Sequence, residues 1–112
     1  MKQETTRLSE RRKEIIAEIE DIQSMRKGVL NTTYQKVTHK DGEVATKGPY
    51  YVLSRKGKGN KTVSKTIPAK DASRVQEDVD NYKRFRQLTD EYVDVCERLS
   101  LLKEEDGDTK KN

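Results

Sequence analysis

The chain has 112 residues, 30% of them hydrophobic and 39% charged, with 24 Lys and Arg against 20 Asp and Glu for a net charge of +4. That is one domain's worth of chain with too little apolar surface for a large core, so order must come from how the apolar residues are spaced. No apolar run is long enough for a membrane span, the first residues lack the apolar core of a signal peptide, and one cysteine (Cys96) and one histidine (His39) leave no internal disulfide or transition-metal cluster. A cytoplasmic protein with no cofactor is expected.

From Thr5 to Lys27, Leu8, Ile15, Ile19 and Ile22 recur at helical steps and Ile16 widens the stripe, which predicts an amphipathic helix. Gly28 follows Arg26-Lys27 where a C-cap glycine belongs, so the helix is expected to stop there. From Thr33 the pattern turns to strand. Tyr34, Val37 and Thr38 precede the tight-turn pair Asp41-Gly42, Glu43 to Thr46 return, and Gly48-Pro49 is expected to break the chain. Tyr50 to Arg55 is the best strand, and Lys61 to Ile67 is its natural partner across Gly57-Lys58-Gly59-Asn60. A hairpin or three-stranded meander over 33–67 is the result.

Pro68 closes the last strand, and a long helix is predicted over 70–103. Phe85, Leu88, Tyr92, Val95, Leu99 and Leu102 form a heptad stripe that Val75, Val79 and Tyr82 extend backwards with one irregular step. Residues 104–112 are polar and expected to fray. The fold class predicted is α+β, a single domain in which two long antiparallel, coiled-coil-like amphipathic helices flank an inserted basic β-hairpin or meander. The second helix outreaches the first, so Leu88, Tyr92, Val95, Leu99 and Leu102 are expected to support a homodimer or to recruit a protein partner.

Charge is distributed unevenly over these elements. Between Met25 and Asp71 eleven basic residues stand against Asp41 and Glu43, a surplus of nine in a chain of net +4, so the flanks together carry −5. A basic ribbon between acidic arms suits a polyanion. Lys47, Arg55, Lys56, Lys58, Lys61 and Lys65 are candidates for phosphate contact, with Tyr51 a candidate for stacking on a base. A two-stranded ribbon fits the B-DNA major groove, which favours duplex DNA over RNA.

Each feature also has a plainer reading. Lysines on edge strands prevent sheet-to-sheet association. Adjacent strand residues face opposite ways, so at most one of Tyr50 and Tyr51 is solvent-facing, and the other serves the core. The basic groups of Met25-Arg26-Lys27-Gly28 and Lys83-Arg84-Phe85-Arg86 either extend a phosphate surface or pair with Asp78, Asp80 and Asp90. Cys96 lies beside the heptad stripe as a small hydrophobe. Gly57 to Lys61 lacks the spacing of a phosphate loop, and no acid, base and nucleophile stand together, so no enzyme is expected.

The strings Met25-Arg26-Lys27-Gly28, Gly48-Pro49-Tyr50-Tyr51-Val52-Leu53-Ser54, Lys61-Thr62-Val63-Ser64 and Asn81-Tyr82-Lys83-Arg84-Phe85, in that order, resemble a family of small bacterial and archaeal proteins. It is a domain of unknown function often found beside transposases and other mobile elements, and the similarity covers roughly Ile15 to Leu88. The resemblance implies the helix–hairpin–helix layout and a mobile-element context. Many relatives carry cysteines just before Gly-Pro-Tyr-Tyr, suggesting a metal knuckle; Val37 to Lys47 holds none here, so a metal role does not carry over. The reading is a non-catalytic nucleic-acid-binding protein, with a coiled-coil interaction module and an RNA binder as alternatives.

Overall fold

A computed structural model describes residues 2–111. In chain order it contains helix α1 (Lys2–Asp21), strands β1 (Val29–Thr38), β2 (Val44–Lys56) and β3 (Thr62–Ile67), and helix α2 (Ala72–Lys111). A single 3₁₀ turn, Lys58–Asn60, joins β2 to β3, and another, Ala69–Asp71, leads into α2. The strands form an antiparallel sheet in the order β1-β2-β3. The chain divides into two compact units, one of residues 1–23 with 83–112 and one of residues 24–82.

In the sheet unit, Leu53, Ile67, Val75 and Val79 make a buried cluster with Leu30 and Tyr51 packed against it. A three-stranded sheet with one apolar face cannot stand alone, and the first turns of α2 supply the cover. In the helical unit, Ile15, Leu88 and Val95 are the buried cluster, backed by Leu8, Ile19, Ile22, Tyr92 and Leu99. Ion pairs join Glu4 to Arg98, Arg11 to Glu91 and Glu18 to Arg84, so residues along α1 meet residues of α2 in reverse order.

The predicted fold class is corrected in one respect. It has the α-β-α order, but it is not two long helices with a hairpin inserted between them. α1 has 20 residues and α2 has 40. The N-terminal part of α2 belongs to the sheet, which builds its own core with Val75 and Val79, and only residues after Tyr82 belong with α1. The apolar stripe of α2 therefore serves two partners in succession, which a continuous coiled coil does not.

Element boundaries shift for identifiable reasons. α1 ends at Asp21 rather than Lys27, tightened by a hydrogen bond from the Ile22 amide to the Ile19 carbonyl at 3.0 Å. Residues 22–27 leave the helix because other partners claim them. The Arg26 amide donates to the Asp78 carbonyl at 3.0 Å, the Ser24 hydroxyl to Asp78 Oδ1 at 2.5 Å, and Asn81 Nδ2 to the Ser24 carbonyl at 3.0 Å. Gly28 is thus not a helix cap. At φ +124 it leads into β1, where an added Cβ would stand 2.6 Å from the Ser54 carbonyl oxygen. The first strand accordingly starts at Val29, ahead of Thr33.

Gly48-Pro49 does not break the chain, because β2 runs through it as one strand of 13 residues. The β1–β2 register is regular from Val29↔Ser54 to Thr33↔Tyr50, slips, and resumes at Gln35↔Lys47. Tyr34 thus lies opposite both Gly48 and Pro49, a bulge that accommodates the proline's missing N–H. Gly48, at φ +136, passes so close to the Thr33 carbonyl that a Cβ there would lie at 3.1 Å. At the far end α2 runs to Lys111, past the boundary expected at 103, and Asn112 lies outside the described residues.

Candidate nucleic-acid interface

The register decides which side of the sheet each candidate residue occupies, since directly paired residues share a face. Leu53 pairs with Lys65, Arg55 with Val63 and Tyr51 with Ile67. Leu53 and Ile67 are core, so Arg55 and Lys65 lie on the inner face, beyond the margin of the apolar cluster. Ser54 pairs with Ser64 and Lys56 with Thr62 on the outer face. That outer face is hydroxyl-rich, and the Ser54 and Ser64 hydroxyls meet at 3.1 Å. Lys58 and Lys61 lie in the turn between the two strands, which the Gly57 amide closes on the Lys61 carbonyl at 2.7 Å.

β3 pairs only with Tyr51 to Lys56. From Thr33 to Tyr50 the sheet therefore continues as a two-stranded ribbon, which carries Lys36, Lys40, His39 and the predicted Lys47. At its tip the Gly42 amide donates to the His39 carbonyl at 2.9 Å and the Glu43 amide to Asp41 Oδ1 at 3.1 Å. Nearly every ribbon residue is exposed; Val37 and Ala45, paired with each other, are the half-buried ones.

The two tyrosines face opposite ways, one towards the core and one towards solvent, as alternation along a strand requires. Tyr51, the predicted stacking residue, is packed against the core. Tyr50 on the other face is 37% exposed, and Tyr34 at the bulge is 63% exposed. Alternation along the strand shows in the sequence, but which phase faces the core depends on the helix that covers it.

Among the described residues, Lys47, Arg55, Lys56, Lys58, Lys61 and Lys65 are exposed and have no carboxylate within ion-pair distance. The one polar contact in this set is Lys56 Nζ to the Asn60 carbonyl at 3.5 Å. The helical unit behaves differently. Arg11 forks onto Glu91, with Nε and Nη2 donating at 2.6 and 2.7 Å, and also reaches Glu14 and Glu18. Those hydrogen bonds raise the Arg11 pKa and hold Glu91 below the usual carboxylate range. Arg98 and Glu4 do the same for each other.

Sequence reasoning missed one feature of the inner face. Arg55 and Lys65 share a hollow of about 520 Å³ with Arg26, Lys27, Met25, Val63, Tyr82 and the buried Leu53. Lys27 Nζ stands 6.0 Å from the centre of the Tyr82 ring, and Arg26 Nε lies 3.8 Å from Asp78 Oδ2. The pairing of these basic groups with Asp78 was one of the alternatives the sequence offered; their convergence with Arg55 and Lys65 was not.

The residues expected to mediate dimerisation are used within the chain. Leu88, Val95 and Leu102 are buried, and Tyr92 and Leu99 pack against the cluster containing Ile15. Among the described residues no helix is long and apolar enough to cross a membrane, and no three His, Cys, Asp or Glu side chains group as metal ligands. Cys96 is half-buried beside Thr5, Ser9 and Leu99. Comparison with known proteins finds no matching family model, curated protein or solved structure. The functional reading therefore rests on the geometry of the chain's own residues.

Proposed function

We propose that the protein binds nucleic acid without catalysis, holding duplex DNA by its phosphates through the β2–β3 turn and the two-stranded ribbon. The observation that carries the reading is the cluster Lys56, Lys58 and Lys61, exposed at one end of the sheet with no carboxylate within ion-pair distance, whereas Arg11, Arg84 and Arg98 of the helical unit are ion-paired. Crowded like charges repel one another and lower the stability of the free protein, so an external polyanion is the natural counter-charge. Edge protection alone needs only scattered lysines.

The ribbon adds a second contact. With no third strand beside it from Thr33 to Tyr50, it is slim enough to enter a B-DNA major groove about 12 Å wide, carrying Lys36 and Lys47 towards the phosphate walls. A mobile-element setting is supported by the sequence resemblance alone. The rival coiled-coil adaptor reading would need the α2 stripe to be exposed, and that stripe is packed inside the helical unit.

The test is a salt series of duplex binding. If Lys56, Lys58 and Lys61 each neutralise one phosphate, changing all three to alanine flattens the slope of log affinity against log salt by about 2.7, at about 0.9 per phosphate. An unchanged slope in a folded variant, or no binding by the wild type at low salt, overturns the proposal.

A further inference from the structure

Arg55 and Lys65 face away from the Lys56 side of the sheet, into the inner-face hollow, and this raises the question of what that hollow accepts. Its chemistry is mixed. Two exposed apolar side chains, Met25 at 36% and Val63 at 53%, and the Tyr82 ring share it with Arg26, Lys27, Arg55 and Lys65. A surface that only tracks phosphates has no use for exposed apolar groups, and a hydrophobic docking site has no use for four cations. A ligand matching both has a flat, weakly polar body joined to an anion, which is the description of a nucleotide.

We propose that this hollow binds one unstacked nucleotide of a single-stranded nucleic acid, with its phosphates on Lys27, Arg55 and Lys65 and its base against Tyr82 and Val63. The proposal rests on the nucleic-acid reading above and deepens it, because a paired duplex keeps its bases stacked and cannot offer one to a recess. The site is built on supported elements. Leu53 lines it and is itself core, and the segment carrying Arg26 and Lys27 is fastened to α2 by the Ser24 and Arg26 bonds to Asp78. Asp78 offsets part of the Arg26 charge, whereas Arg55 and Lys65 have no carboxylate partner and remain available for phosphate. Lys27 stands at the outer limit of cation–π distance from Tyr82, so the ring holds it only loosely and a stacked base can replace it.

The experiment compares binding of a short single-stranded oligonucleotide and of its duplex across a salt series, using the full chain. Arg55→Ala with Lys65→Ala flattens the single-strand slope by about 1.4, at about 0.7 per phosphate, and leaves the duplex slope as in the wild type. Tyr82→Leu weakens single-strand binding roughly tenfold, within the range seen when a stacking aromatic is lost, whereas Tyr82→Phe retains it. Circular dichroism reports that each variant is folded. An unchanged single-strand slope, an equal loss on duplex, or identical behaviour of the Leu and Phe variants overturns the hollow as a nucleotide site while leaving duplex binding by the turn intact. A wild type that binds neither probe at low salt overturns both proposals.

Discussion

The Ser24 hydroxyl donates a 2.5 Å hydrogen bond to Oδ1 of Asp78, a residue that folding has buried to 6% exposure. Asp78 also receives the Arg26 guanidinium at its other oxygen, and its backbone carbonyl accepts the Arg26 amide. One residue of α2, through its carboxylate and its backbone carbonyl, thereby fastens the segment that follows α1 and sets where β1 begins. A buried carboxylate is tolerated here because Oδ1 accepts the Ser24 hydroxyl and the Arg26 guanidinium stands 3.8 Å from Oδ2 as a counter-charge.

Replacing Asp78 by alanine removes the charge-assisted Ser24 bond and the Arg26 ion pair, and leaves the backbone bond from the Arg26 amide in place. The expected loss is about 1.5–3 kcal/mol, towards the lower end because Ser24 and Arg26 keep access to water. Thermal melting reads it as a fall of several degrees. Asp78→Asn retains an acceptor for Ser24 and is expected to lie between the wild type and Asp78→Ala. Equal melting of all three would show that the fastening contributes nothing.

Gly28 is expected to tolerate no side chain. At φ +124 an L residue is strained, and its Cβ would meet the Ser54 carbonyl oxygen at 2.6 Å, a rigid backbone atom that cannot swing aside. Gly28→Ala should destabilise by roughly 1–3 kcal/mol. Gly42 is the comparison, because at φ +87 it has nothing within 4 Å, so Gly42→Ala carries the backbone penalty without the collision. Chemical denaturation should rank Gly28→Ala below Gly42→Ala, and the reverse order would contradict the close approach.

The helical unit should weaken in acid. Hydrogen bonds from Arg11 lower the Glu91 pKa, and the hydrogen bond from Arg98 lowers that of Glu4. A carboxylate whose folded value lies below its unfolded one, about 4.3 for glutamate, contributes stability that is fully present above the unfolded value and lost as pH falls through the folded one. Both pairs are solvent-accessible, so the effect is modest and also falls with added salt. Melting temperature followed from neutral pH downward should decline below about pH 4.3, less steeply for Glu91→Gln than for wild type. Parallel pH curves for the two proteins would exclude the Arg11–Glu91 pair as the cause.

By itself the sequence determined the kinds of element and their order, because those follow from local rules. The spacing of Leu8, Ile15, Ile19 and Ile22 is helical wherever the chain goes, Tyr50 to Arg55 and Lys61 to Ile67 are strand-formers around a glycine-rich turn, and a surplus of basic residues from Arg26 to Lys70 is a matter of counting. The irregular step in the α2 stripe near Tyr82 also marked, without explaining it, the place where the helix passes from the sheet unit to the helical unit. What only the tertiary structure decided was which partner each face meets. Arg26 and Lys27 follow a helical stripe and read as its last turn, but the hydrogen bonds offered by Asp78 and Asn81, more than fifty residues away, outweigh the few tenths of a kcal/mol by which propensity favours one more helical turn. Gly48-Pro49 reads as a break, but Tyr34 opposite it lets the strand bulge and continue. Tyr50 and Tyr51 are interchangeable as strand residues, and only the position of Val75 and Val79 under the sheet turns Tyr51 to the core. The same register that buries Leu53 and Ile67 turns Arg55 and Lys65 towards Tyr82 and leaves Lys56 on the opposite face. A continuous basic stretch in sequence thereby becomes two separate surfaces, because side chains alternate along a strand and only packing chooses the phase.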